Sequence, residues 1–149
     1  SSEISVDDNA FVLLRMQNKA RGIIWVSSAA TGGENGLKIR VYGTKGSIEW
    51  LQDDPNNLKF TELDKPMKVI TRASKLVSEF SLSSSRIAAG HPEGFFEAFA
   101  NIYTEFAESI RSSKKIPIKF PTIDDGVKGI KFMYAAKESS NKNSKWIKL

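Results

Sequence analysis

The sequence predicts an α+β fold, with a predominantly antiparallel, open β-sheet and helices packed on one face. The first half of the 149 residues contains β-rich runs separated by short polar or glycine-rich turns. In the second half, apolar residues recur every three or four positions, which is the period of an amphipathic helix. Strands followed by helices, without an internal repeat or a low-complexity linker, indicate a single domain over residues 1–149.

The first two strands are expected to form a hairpin. Residues 9–17 and 22–29 are both rich in apolar and β-branched residues, and a short polar loop joins them. Each run contains several consecutive apolar positions, from Phe11 to Leu14 and from Ile23 to Val26. Such continuity is typical of strands that are at least partly covered on both faces.

Four further strands are expected to form an antiparallel meander, because short turns join them in succession. They are residues 37–43, 47–51, 57–63 and 67–72. Strict alternation in the first of them separates an apolar face from a polar face. The apolar face holds Leu37, Ile39 and Val41, and the polar face holds Lys38, Arg40 and Tyr42.

Residues 73–90 lack clear periodicity and predict a long loop. A helix is expected from Pro92 to about Ser112, because its large apolar residues make one broad face. They are Phe95, Phe99, Ile102, Phe106 and Ile110.

The second helix should begin after Thr122, which is a suitable N-cap. Asp125 stands at the third helical position, so the pair nearly matches a capping box. The helix is expected to continue to about Ser140, and the tail at 144–149 is compatible with a last short strand.

Composition excludes several classes of site. The chain has no cysteine and one histidine, which excludes disulfides and thiol chemistry and argues against a protein-only zinc site. Its net charge is +5, but the basic residues are spread along the chain among acids, so we expect no nucleic-acid binding. No apolar run approaches the roughly 18–20 residues needed to cross a membrane.

The stretch SRIAAGHPEG, residues 85–94, holds the only histidine and is the one candidate site. A neutral imidazole can donate or accept a hydrogen bond with a hydroxyl, and the adjacent glycines leave room for a ligand. His91, Arg86 and Glu93 are therefore the candidate substrate-binding residues. The alternative is that His91 only caps the helix ahead of Pro92, a residue suited to the first helical position.

No autonomous catalytic set is present. The sequence contains no Gly-x-Ser-x-Gly nucleophile elbow, and its glycine clusters match neither Gly-x-Gly-x-x-Gly nor a P-loop. The paired acids Asp53-Asp54 and Asp124-Asp125 stand in a turn and at a helix start. We therefore assign no catalytic, cofactor-binding or metal-binding residue within the chain.

Three segments together resemble the C-terminal domain of the Gfo/Idh/MocA oxidoreductases, the family of glucose–fructose oxidoreductase and inositol dehydrogenase. They are GLKIRVYGTKGSIEW at 36–50, SRIAAGHPEGFFEAFANIYTEF at 85–106 and FPTIDDGVKGIKFMYAAKESS at 120–140. The resemblance extends from about Asp7 to Trp146. It implies a larger protein whose N-terminal Rossmann domain, absent from these residues, binds NAD or NADP. It also implies that hydride passes between the cofactor and a sugar or polyol.

The catalytic motifs of that family, Glu-Lys-Pro and Asp-x-x-x-His, do not occur here, and Lys65-Pro66 follows Asp64 instead of a glutamate. The resemblance therefore implies that this chain alone is inactive, and that it supplies substrate contacts around 86–93 and an oligomer interface. We expect a homo-oligomer through the open sheet face that carries Lys38, Arg40 and Tyr42. A cytoplasmic location is expected, and the alternative function is a non-catalytic binding or assembly module.

Overall fold

A computed structural model describes residues 6–112 and 117–149 of the chain. Its antiparallel strands and three helices confirm the α+β class. The strands are β1 (Asn9–Arg15), β2 (Arg21–Ser27), β3 (Lys38–Gly43), β4 (Gly46–Leu51), β5 (Asn57–Glu62) and β6 (Lys68–Thr71). The helices are α1 (Glu79–Ser83), α2 (Phe95–Arg111) and α3 (Ile123–Asn141). The chain divides into two compact units, one formed by Ser1–Glu34 with Pro121–Leu149 and the other by Asn35–Phe120.

The first unit contains the predicted hairpin of β1 and β2. Phe11 lies opposite Trp25 in the antiparallel register, and their rings stack in parallel with centroids 6.1 Å apart. This face is exposed, whereas the opposite face of β1 lines a cavity of about 70 Å³ shared with α3. Among the described residues, other parts of this unit thus cover one face of the hairpin. Cover on the second face was also predicted, but no residue of this unit provides it.

The prediction of a last short strand at the C-terminus is wrong, because residues 145–149 form neither a strand nor a helix. Trp146 instead packs against β1, where the Arg15 guanidinium carbon lies 3.8 Å from the centroid of its ring. A cation over an aromatic face stabilises this arrangement without any strand pairing.

The second unit contains the predicted meander, in the order β3-β4-β5-β6 with every pair antiparallel. Its register places apolar residues opposite one another across the four strands on one face of the sheet. They are Ile39, Trp50, Leu58 and Ile70 in one row, with Val41, Ile48 and Phe60 in the next. On the other face, Glu49 forms ion pairs with Lys38 at 3.2 Å and Lys59 at 3.0 Å. The predicted alternation of strand β3 is therefore continued by its neighbours.

Local hydrogen bonds determine where helices α2 and α3 begin. Helix α2 begins at Phe95 instead of Pro92, because Gly94 is its N-cap and donates its N–H to the Glu97 carboxylate at 2.9 Å. Helix α3 begins as predicted, with the Thr122 N–H 3.0 Å from Asp125 Oδ2. Helix α1, which has five residues, lies within the predicted loop.

Among the residues that the structure describes, no helix combines the length and apolar character needed to span a bilayer.

Candidate functional site

The candidate site is the loop from Ser84 to Gly94, which connects α1 to α2 in the second unit. A turn brings the N–H of His91 within 3.3 Å of the Ala88 carbonyl oxygen. Gly90 precedes the histidine with a φ of +83°, a conformation in which a side chain would be strained. The sequence Ala-Ala-Gly-His therefore turns the chain sharply just before Pro92.

Arg72, the residue after β6, forms hydrogen bonds with this turn. Its guanidinium donates to three backbone carbonyl oxygens of the loop, those of Ile87 at 2.8 Å, Ala88 at 3.3 Å and His91 at 2.9 Å. Its Nε donates to Asn56 Oδ1 at 3.0 Å. The loop is thereby joined to the last strand of the meander.

Glu93 is the anionic centre of the loop. One carboxylate oxygen lies 2.7 Å from Arg72 Nη1, and the carboxylate accepts the backbone N–H groups of Arg86 at 2.9 Å and Ile87 at 3.0 Å. The Glu93 side chain is 7% exposed and that of Arg72 is 16% exposed, so the ion pair is largely shielded from water. A shielded pair with these additional hydrogen bonds holds its partners in one geometry.

Arg86 joins the same loop to helix α2. Its Nε donates to Asn101 Oδ1 at 2.6 Å, and Nη2 donates to the Ala100 carbonyl oxygen at 2.9 Å and to the Thr104 hydroxyl. The Asn101 amide donates in turn to the carbonyl oxygen of Ser84 at 2.7 Å. The loop is thus fixed at both ends, by β6 on one side and by α2 on the other.

His91 lies exposed in the loop, and its imidazole makes no hydrogen bond with the described residues. It does not cap α2, because the N-cap is Gly94 and the helix starts at Phe95. The Gly94 N–H is bound by the Glu97 carboxylate, which lowers the pKa of Glu97. The loop therefore presents an imidazole whose two nitrogens are available for hydrogen bonds with a ligand.

The structure brings the three predicted site residues into one loop, but their side chains have different environments. Arg86 and Glu93 are engaged by the protein itself, and His91 is free. Arg72 and Asn56 were not among the predicted site residues. Neither belongs to a recognisable motif, and they lie 19 and 35 positions before His91 in the chain, so only the folded sheet brings them to the loop.

Lys65 lies in a different place, in an open groove of about 590 Å³ at the β5–β6 turn. Its ammonium is bound by the Glu62 carboxylate, which also pairs with Lys68 at 2.9 Å. These contacts lower the pKa of Glu62 to about 2. Lys65 is therefore engaged in a surface ion pair. Across residues 6–112 and 117–149, no group of three or more histidine and acidic side chains is arranged to hold a metal ion.

Known proteins resemble the chain over almost all of its length. The family described as "Oxidoreductase family, C-terminal alpha/beta domain" matches residues 1–149. A Bacillus subtilis (strain 168) protein named "Uncharacterized oxidoreductase YfiI" is 35% identical, and the match covers 98% of this chain and 39% of that protein.

Solved structures have the same fold. An oxidoreductase from Sinorhizobium meliloti is 47% identical with a TM-score of 0.92, covering 97% of this chain and 42% of that one. An inositol dehydrogenase homolog from Azotobacter vinelandii, complexed with NADH and myo-inositol, is 32% identical with a TM-score of 0.92. That match covers 97% of this chain and 40% of the homolog. The chain therefore spans about two fifths of the length of these relatives.

Proposed function

The chain belongs to the Gfo/Idh/MocA oxidoreductase family, whose C-terminal domain it matches, and we propose that it completes the substrate site of an NAD(P)-dependent sugar or polyol dehydrogenase. Solved structures of an inositol dehydrogenase homolog from Azotobacter vinelandii support the chemical class, because one is complexed with NAD+ and another with NADH and myo-inositol. NAD or NADP would supply hydride transfer at a carbinol carbon. The 149 residues contain no Gly-x-Gly-x-x-Gly turn, so we assign cofactor binding to none of them.

The observation that carries the proposal is the free imidazole of His91 on a loop that the protein holds at both ends. Sugars and polyols present hydroxyl groups, and an imidazole can donate to one hydroxyl and accept from another. A rigid loop keeps this contact ready before the substrate arrives, which reduces the entropy lost on binding. In this proposal His91 contacts the substrate, and Arg86 and Glu93 contribute by holding the loop. A direct contact of Arg86 or Glu93 with the substrate stays a prediction.

The test uses the full-length protein, screened with NAD+ and NADP+ against sugars and polyols, starting with myo-inositol. His91→Ala should raise KM ten-fold or more for the best substrate, about 1.4 kcal/mol of lost binding. Glu108→Gln is the control, because Glu108 is an exposed acid of α2 whose side chain makes no hydrogen bond or ion pair with the described residues.

An unchanged KM in His91→Ala would contradict the proposed role of the histidine. If the full-length protein turned over none of the compounds with either cofactor, the proposed dehydrogenase activity would be rejected in favour of a non-catalytic binding or assembly module.

A cytoplasmic location stays a prediction.

We also propose that the full-length protein forms a homo-oligomer through the open face of the second unit's sheet. Tyr42 is 73% exposed on this face, beside the ion pairs of Lys38 and Lys59 with Glu49. Aromatic residues such as tyrosine are enriched at protein interfaces, whose rims are polar. Sedimentation velocity at tens of micromolar should show an oligomer, which Tyr42→Asp should weaken. A monomeric wild-type protein would contradict this proposal.

A further inference from the structure

We propose that Arg72 is a positioning residue for substrate recognition, acting through the backbone of His91. The inference rests on the proposed function of His91 and extends it to a residue outside the loop. Arg72 lies just after β6, on a different element from the histidine, and makes one of its hydrogen bonds to the His91 carbonyl oxygen at 2.9 Å. What it positions is therefore the main chain from which the imidazole projects.

The guanidinium of Arg72 uses all of its hydrogen-bond donors within the protein. A guanidinium has five N–H donors in a fixed fork. Five acceptors lie within 2.7–3.3 Å of its nitrogens. They are the carbonyl oxygens of Ile87, Ala88 and His91, together with Asn56 Oδ1 and Glu93 Oε2. No donor remains for a substrate, so any effect of Arg72 on recognition has to be indirect.

These contacts also constrain the conformation of the loop. Three of the five acceptors belong to one turn, two of them before Gly90 and one after it. Glycine has the widest conformational freedom of any residue, so the turn needs outside contacts to keep one conformation. The Glu93 carboxylate adds to them, because it binds Arg72 and the N–H groups of Arg86 and Ile87 at once.

Asn56 binds both Arg72 and Glu93. Its Oδ1 accepts from Arg72 Nε at 3.0 Å and from the Glu93 N–H at 3.2 Å, and its carbonyl oxygen accepts the Arg72 N–H at 2.8 Å. Asn56 lies in the turn between β4 and β5, so the sheet itself sets the position of the guanidinium. Lysine in place of Arg72 would keep the charge but could satisfy at most three acceptors.

The experiment compares Arg72→Lys with Arg111→Lys in the full-length protein, each with and without His91→Ala. Arg111 is the matched control, because it is exposed at the end of α2 and makes no ion pair or hydrogen bond through its side chain with the described residues. The kinetic readout is KM and kcat for the best substrate of the screen, beginning with myo-inositol and NAD+. The second readout is amide hydrogen exchange of residues 86–93, which needs no substrate.

Arg72→Lys should raise KM ten-fold or more, change kcat less than three-fold, and have less than a two-fold effect when His91 is already alanine. The Arg86 and Ile87 amides should exchange at least ten-fold faster, and Arg111→Lys should change neither readout. Asn56→Ala, a milder change, should raise KM about three-fold with the same dependence on His91. This variant keeps the inference testable if Arg72→Lys does not fold.

If the double variant showed the product of the two separate KM increases, the inference would be overturned. Such independence would show that Arg72 does not act through the histidine. Unchanged exchange in residues 86–93 would also overturn it. If His91→Ala raises KM but Arg72→Lys does not, only the role of Arg72 fails. If His91→Ala itself leaves KM unchanged, the proposed function of the histidine fails, and positioning by Arg72 fails with it.

Discussion

Gly46 opens strand β4 at a point where the neighbouring strand leaves no room for a side chain. A Cβ atom added there would lie 2.4 Å from the carbonyl oxygen of Thr61 on β5. It would also lie 3.2 Å from the Cα of Glu62, the residue paired with Gly46. Both obstacles are backbone atoms of a paired strand, so they cannot rotate away.

The cost of Gly46→Ala follows from this geometry. The two strands would have to separate locally by about 0.6 Å to reach even the closest contact that real Cβ atoms make. Such overpacking typically costs about 1–3 kcal/mol. The separation would also strain the adjacent hydrogen bond from the Leu63 N–H to the Lys45 carbonyl oxygen, which is 2.9 Å long. We expect a loss of about 2–3 kcal/mol in the free energy of unfolding, from the overpacking and the weakened bond together.

Gly43→Ala is the matched control, since Gly43 pairs with Gly46 across the same turn. Its added Cβ would meet only the Gly46 carbonyl oxygen, at an ordinary distance of 3.5 Å. We expect a change of less than about 0.5 kcal/mol for this variant.

Thermal unfolding of the full-length protein, followed by circular dichroism, measures both variants. In a protein of the relatives' length, the Tm of Gly46→Ala should fall by roughly 3–4 °C, and that of Gly43→Ala should stay within about 1 °C. Equal shifts for the two variants, or a Gly46→Ala protein as stable as wild type, would refute the steric reasoning.

Two further predictions concern charge and capping. Because Lys65 and Lys68 lower the pKa of Glu62 from 4.5 to about 2, its carboxylate should stabilise the fold above pH 4.5 and lose this contribution as the pH falls towards 2. In urea unfolding, the stability difference between wild type and Glu62→Gln should therefore shrink from pH 6 to pH 2, and a constant difference would contradict this assignment. Thr122→Ala removes the hydroxyl that donates to Asp125 at 2.9 Å at the start of α3, and it should lower the unfolding free energy by about 1 kcal/mol. Thr31→Ala, in an exposed loop, should leave that free energy unchanged, and an equal loss in both variants would argue against the capping role.

Local patterns were sufficient for most of the secondary structure. Alternation predicted β3 and the direction of its faces, and the register confirms that Ile39 and Trp50 pair on the apolar side. The start of α3 at Thr122 was also predictable, because a capping box depends only on residues three positions apart. The helix predicted from Pro92 instead starts at Phe95, where Glu97 binds the N–H of Gly94. Proline and a glycine N-cap are both compatible with a helix start, so local preference could not choose between them.

The sequence by itself determined the α+β class, the antiparallel meander and the single histidine as the candidate ligand contact. These follow from short-range periodicity and from composition. Only the tertiary structure decided what surrounds that histidine. Arg72 and Asn56 reach the loop because strand pairing carries β6 and the β4–β5 turn to its side. The five hydrogen-bond acceptors of the Arg72 guanidinium, one of which is Asn56 Oδ1, belong to residues at least 15 positions away from it in the chain. The order of residues along a chain gives no local signal of such contacts.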